Sequence, residues 1–162
     1  MADPLEEMYE VYKKPIYNYL YYLSHDQYLA EELTHETFIK AFKAFNKFRG
    51  DASVKTWLYK IARNTFLTEA KKNKSRETPF NDQVWEMEDK STDMYEKIVI
   101  QQIFKKLSEQ EQTMIVLRDI NGFTYQEMAE LLSITEGKVK ISLHRARKKF
   151  KAHYFEDREV KK

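Results

Sequence analysis

Cysteine is absent from the 162 residues, and glycine and proline occur only three times each. Without thiols there is no disulfide framework, no thiolate zinc site and no cysteine nucleophile, and the chain suits a reducing compartment. So little glycine and proline leaves scant turn chemistry for a β-sandwich or a glycine-rich phosphate cradle. No apolar run approaches the roughly 18 residues that a membrane span requires. The acidic start Met1-Ala-Asp-Pro-Leu-Glu-Glu7 has neither the basic end nor the apolar stretch of a signal peptide. A cytoplasmic protein without membrane insertion is expected. His25, His35, His144 and His153 stand at no metal-ligand spacing, and nucleophile-elbow and Walker patterns are missing. Neither catalysis nor a cofactor nor a metal is expected.

What is present is hydrophobic and aromatic content of 42% and 14%, sufficient for one ordinary domain or two small ones. Leu, Glu, Lys, Gln and Met favour helix, so the expected fold is all-α. The net charge of +2 conceals a segregation. Residues 79–97 carry six acids against two bases, whereas residues 138–151 carry seven bases and no acid. Such a block can neutralise several phosphates and release their counterions, as nucleic-acid binding requires. A solvated helix face is the plain alternative.

Helical periodicity divides the chain. Met8, Val11, Tyr12, Ile16, Tyr19, Leu20 and Leu23 form one stripe, in which Pro15 is expected to kink or restart the helix. Leu29, Leu33, Phe38, Phe42 and Phe45 form a second, capped by Asp26 and ending near Arg49-Gly50. A third helix runs from about Val54 past Lys71, with Trp57, Leu58, Ile61, Ala62 and Thr65 on one side and Lys55, Tyr59, Arg63 and Asn64 towards the other. The pattern fails after Lys74 for about twenty residues, largely acidic, which reads as a linker, and resumes at Ile98. Ser108-Glu-Gln-Glu111 and Thr124-Tyr-Gln-Glu127 have capping-box form, and Ser133-Ile134-Thr135 supplies a turn and a cap for a last helix to about Ala152. Two small helical domains follow: 1–75 and 98–162, joined by a flexible acidic linker, 76–97.

Within the second, Ala129, Ser133 and Val139 stand where a helix-turn-helix needs a small residue, a residue tolerated in the tight turn and an apolar anchor. Its second helix carries the basic block, so Lys138, Lys140, Ile141, His144, Arg145 and Lys148 are expected to face a major groove while Val139, Leu143, Ala146 and Phe150 pack inward. An αα-hairpin with a basic surface is the competing reading.

Two stretches carry a family resemblance. Ala30-Glu-Glu-Leu-Thr-His-Glu-Thr-Phe-Ile-Lys-Ala-Phe42, Phe48-Arg-Gly50 and Thr56-Trp-Leu-Tyr-Lys-Ile-Ala-Arg-Asn64 resemble the second conserved region of bacterial RNA polymerase sigma factors of the extracytoplasmic-function group. Leu107-Ser108, Tyr125-Gln-Glu-Met-Ala129 and Gly137-Lys-Val-Lys140 through Arg145-Ala-Arg147 are similar to the fourth, in the right order. The resemblance implies a protein that binds core RNA polymerase and recognises promoter DNA. Glu32, His35 and Glu36 would then face the polymerase's largest-subunit coiled coil, with Glu32 and His35 where aspartate and glutamine are usual. The loop from Arg49 to Lys55 would capture an unstacked base of the −10 element, whose unstacking costs a few kcal/mol. Tyr59, Arg63 and Asn64 would touch the strand, whereas Trp57 is read as core. Lys138, Lys140, Ile141, His144, Arg145 and Lys148 would meet the −35 element, with Lys140 reading bases and Lys148 and Lys149 meeting phosphates. The group also implies an anti-sigma partner. A stand-alone dimeric helix-turn-helix regulator and a helical adaptor without nucleic acid remain as alternatives.

Overall fold

A computed structural model describes residues 3–76 and 94–159. They are helical, with no strand among the described residues: α1 (Pro4–Ser24), α2 (Gln27–Ala44) with a 3-10 turn at Phe45–Lys47, α3 (Val54–Arg76), α4 (Met94–Lys106), α5 (Glu109–Ile115) extended by a π turn at Val116–Ile120, α6 (Tyr125–Leu132) and α7 (Glu136–Glu159). The chain divides into two compact units, the first built on α1–α3 and the second on α4, α5 and α7. The all-α expectation holds. Most of the expected linker lies outside the described residues. No described helix is long and apolar enough to cross a membrane.

Local chemistry sets most helix boundaries. The Asp26 carboxylate accepts from the amides of Tyr28 and Leu29 at 3.0 and 3.3 Å, satisfying donors that the first turn of α2 cannot pair itself. Both capping boxes close. Glu111 N–H donates to Ser108 Oγ at 3.1 Å while Ser108 N–H donates to Glu111 Oε1 at 2.8 Å. Thr124 and Glu127 repeat the exchange at 3.1 and 2.9 Å. Asn121 ends the π turn, and Gly122 follows with φ +71°, in the left-handed region glycine enters without steric cost. Pro15 lies inside a continuous α1, so the helix does not restart there. The carbonyl it leaves without a helical donor belongs to Val11, itself 56% exposed, so water can meet it, and Ile16, Tyr19 and Leu20 beyond the proline are fully buried. The exposure of Val11 also removes it from the buried stripe.

In the first unit each of the three helices packs on the other two. The core takes Ile16, Tyr19, Leu20 and Leu23 from α1, Ala30, Leu33, Phe38 and Ala41 from α2, and Leu58, Tyr59, Ala62 and Phe66 from α3. In the second unit α7 packs on α4 and α5. Ile103, Phe104, Met114, Leu117, Val139, Leu143 and Ala146 are all at most 2% exposed.

The turn between α6 and α7 is closed by the Ile134 amide on the Ala129 carbonyl at 3.0 Å, and Thr135 Oγ1 accepts from the Lys138 amide at 3.1 Å to cap α7. Ser133 sits in this turn at φ +57°. A Cβ in that region costs roughly 1–2 kcal/mol, part of which glycine would return as unfolded-chain entropy. Ser133→Gly is therefore expected to stabilise the protein by about 0.5–1 kcal/mol, read as a rise in the midpoint of thermal unfolding. A lowered midpoint would mean that the serine hydroxyl has a structural role in the turn.

Candidate nucleic-acid and polymerase interfaces

Three surfaces emerge, two on the first unit and one on the second. On α2, Glu32, His35 and Glu36 are exposed on one face. Glu36 is 3.3 Å from Lys40, one turn on, and Lys40 also reaches Thr65 Oγ1 of α3 at 3.2 Å. The spacing continues to Ile39, 40% exposed, and Phe42, 39% exposed. Phe42, expected in the buried stripe, stands instead at the edge of a groove. That groove, of about 490 Å³, is lined by Leu5, Tyr9, His35, Phe38, Ile39 and Phe42, with Asp3 and Glu6 also in its wall. Tyr9 closes on Phe38 edge-to-face at 5.0 Å between ring centres. The apolar half of this surface escaped the sequence reading. Its signal was Ile39, apolar at the position i+7 from Glu32 on an otherwise polar face.

The second surface surrounds the loop between the 3-10 turn and α3. Arg49 is exposed, Gly50 takes φ +77°, and Ser53 closes the loop on α3 by accepting from the Thr56 amide at 3.1 Å. Beneath lies an aromatic cluster: Trp57 is 5.0 Å from Phe48 and 6.3 Å from Phe45, centre to centre. Lys55 and Arg63 are half-buried and Asn64 is exposed. Tyr59 departs from its expected place at the strand. It is 2% exposed, packed edge-on against Tyr19 of α1 at 5.2 Å, and is not available to a DNA strand. Conversely Trp57 is half-buried rather than core, and lies two turns from exposed Asn64 on the same side of the helix. The buried face of α3 is thus centred on Tyr59, Ala62 and Phe66, because Tyr19 and α1 supply a partner for the tyrosine ring.

The third surface is α7. Ile141, His144 and Lys148 follow each other at spacings of three and four along its outward centre, with Lys138 and Arg145 exposed beside them. Lys140 is also exposed, but on the flank, where its Nζ lies 5.8 Å over the Tyr125 ring. Arg118 covers the same ring at 4.6 Å and donates to the Phe123 carbonyl at 2.8 Å. Not all seven basic side chains point to solvent alone. Arg147 forms a two-pronged pair with Asp119, its Nε to Oδ2 at 3.1 Å, and this bonding raises the guanidinium pKa above its ordinary value. Lys149 pairs with Glu111 at 3.4 Å. Burial would push the Glu111 carboxyl up, but the hydrogen bonds with Ser108 and the charge of Lys149 outweigh it and hold the carboxyl below its ordinary value. Lys149, expected to meet phosphates, is thereby engaged across the unit, while Lys148 lies on the outward side.

The family model for sigma-70 region 2 matches residues 8–76, and that for sigma-70 region 4 matches residues 97–150. The chain is similar to RNA polymerase sigma factor YlaC of Bacillus subtilis (strain 168), at 33% identity over 97% of this chain and 95% of that protein. It is also similar to the ECF RNA polymerase sigma factor SigW of the same organism, at 30% identity over 90% and 86%. Among solved structures, the sigma factor RpoE in complex with the anti-sigma factor NepR from Bartonella quintana shares the fold, with a TM-score of 0.79, 22% identity and coverage of 91% of this chain and 94% of that one.

Proposed function

The chain belongs to the extracytoplasmic-function group of RNA polymerase sigma factors and directs promoter-specific transcription initiation, and from that premise we propose how its surfaces divide the work. Residues 1–75 bind core polymerase and the −10 element, residues 98–162 bind the −35 element, and residues 76–97 tether the two. The observation that carries this reading is the outward face of α7, where Lys138, Lys140, Ile141, His144, Arg145 and Lys148 are exposed within a stretch, 138–151, that holds no acid, while Val139, Leu143 and Ala146 anchor its other side. A helix held in this way, opposite a tight turn, is presented to a major groove as a rigid body.

Core polymerase docks on α2 through Glu32, His35 and Glu36 and through the apolar groove of Tyr9, Ile39 and Phe42 beside them. The helical coiled coil of the polymerase is a suitable occupant, since a groove of this kind accepts a ridge of side chains at helical spacing. At the −10 element the loop carrying Arg49, followed by Lys55, Arg63 and Asn64, meets the displaced strand, and Trp57 takes the stacking role for which buried Tyr59 is unsuited. The protein acts in the cytoplasm, performs no chemistry of its own and needs no cofactor. An anti-sigma protein restrains it; the similar RpoE structure contains such a partner.

Run-off transcription with purified core polymerase on genomic fragments tests the whole assignment, and failure to bind core or to yield any specific transcript would end it. A gel-shift on duplex DNA with and without core separates this function from that of a stand-alone dimeric regulator, which would bind alone. Within α7, Lys148→Ala is expected to weaken binding to all sequences and to reduce the salt-dependence slope by about one. Lys149→Ala should leave that slope nearly unchanged, because the ammonium is already paired with Glu111. Lys140, early in the helix but beside Tyr125, belongs with the backbone contacts. Equal slopes for Lys148→Ala and Lys149→Ala holoenzymes would show that the Glu111 pair opens when DNA binds.

A further inference from the structure

Two residues on the outward face of α7 have no evident task inside the protein. Gly137 lies in the first turn, and a Cβ added there would meet only the Thr135 hydroxyl at 4.0 Å, an ordinary van der Waals distance. Glycine weakens an exposed helix relative to alanine, yet nothing in the chain's own packing calls for the missing side chain. One turn further, Ile141 is 54% exposed and is surrounded on the helix by exposed Lys138, Lys140, His144 and Arg145. An apolar side chain thus stands in solvent within a basic face, next to a bare stretch of backbone.

Both features fit a ligand that comes within van der Waals contact of the helix at Gly137 and offers an apolar group to Ile141. The surrounding cations select a polyanion. Isoleucine has no donor or acceptor with which to read hydrogen-bonding edges, and the apolar group that a major groove displays on its base edges is the C5-methyl of thymine. We propose that Ile141 reads a thymine of the −35 element through that methyl group, and that Gly137 provides the clearance that lets the first turn of α7 descend to it. The inference rests on the assignment of α7 to the −35 element and adds the chemistry by which it selects a base.

Holoenzyme assembled from the full chain and core polymerase would be used to enrich duplexes randomised across the −35 region. The enriched sequence is then remade with each thymine in turn replaced by deoxyuridine, which removes the methyl and nothing else. Loss of one particular methyl is expected to lower wild-type affinity about three- to fivefold, the effect of burying one carbon, and to leave the affinity of Ile141→Ser holoenzyme unchanged. Gly137→Ala is expected to raise the thermal midpoint of the protein while lowering affinity at least roughly tenfold on every sequence, since helix propensity and groove approach are then opposed. Wild-type binding indifferent to every deoxyuridine, methyl dependence retained by Ile141→Ser, or Gly137→Ala holoenzyme that binds like wild type would each overturn the proposal. Enrichment of no −35 sequence would instead remove the assignment of α7 on which it stands.

Discussion

Replacing Ile39 and Phe42 together by glutamate is expected to lower affinity for core polymerase by about 2–4 kcal/mol, roughly 30- to 1,000-fold. Both side chains already lie some 40% in solvent, at the edge of the Tyr9 groove, whereas Phe38 beneath them is 2% exposed and keeps the helix packed. The double substitution therefore puts two charges where a partner must desolvate the surface, without opening the core. Charge reversal at Glu32 and Glu36 should do less. Exposed charges at a rim act mainly on the association rate and are screened by salt, and Glu36 is in addition drawn to Lys40 at 3.3 Å. Titration of labelled core polymerase with each variant, alongside circular dichroism, distinguishes the two halves of the surface. Wild-type affinity of the Ile39→Glu, Phe42→Glu protein would leave the groove without a part in polymerase binding. A larger loss from the two charge reversals would place the binding energy in the acidic residues instead.

Leu143→Ala is expected to destabilise the second unit by about 2–5 kcal/mol, the range for deleting a buried leucine side chain when its surroundings cannot collapse around the cavity. Leu143 is 1% exposed and lies one turn from Val139, fully buried, on the side of α7 that packs against α4 and α5. Losing it should loosen the recognition helix and abolish −35-dependent transcription. Hydrogen exchange should then rise in α4–α7 while the amides of α1–α3 stay protected and binding to core polymerase persists. His144→Ala, next in sequence but exposed, serves as the contrast: it should leave exchange unaltered. If Leu143→Ala also releases the amides of α1–α3, the two units unfold together and the division of labour proposed for them fails.

The sequence by itself determined the class of fold, most helix starts and the identity of the helix that carries the basic face, whereas α2 ends earlier and α7 later than its pattern suggests. These rest on chemistry that acts over three or four residues. An Asp26 carboxylate, a Ser108–Glu111 or Thr124–Glu127 exchange and a Thr135 hydroxyl each bond to amides within their own first turn, so composition and spacing suffice to find them. The tertiary structure alone decided which of two aromatics on α3 is buried. Trp57 and Tyr59 are equally able to fill a core, and the choice fell to Tyr19, forty residues earlier, whose ring takes Tyr59 edge-on. It likewise decided which cations of α7 remain for a ligand. Arg147 and Lys149 are claimed by Asp119 and Glu111, acids 28 and 38 residues away, and Lys148 between them is left on the outer face. The apolar groove beside Glu32 and Glu36 arises in the same way, from Tyr9 of one helix laid over Phe38 of another. Local periodicity sets which side of a helix is buried only to within about a residue's width of rotation, roughly 100°. Contacts between residues distant in the chain supply the remainder, because only they fix where each helix face finds its partner.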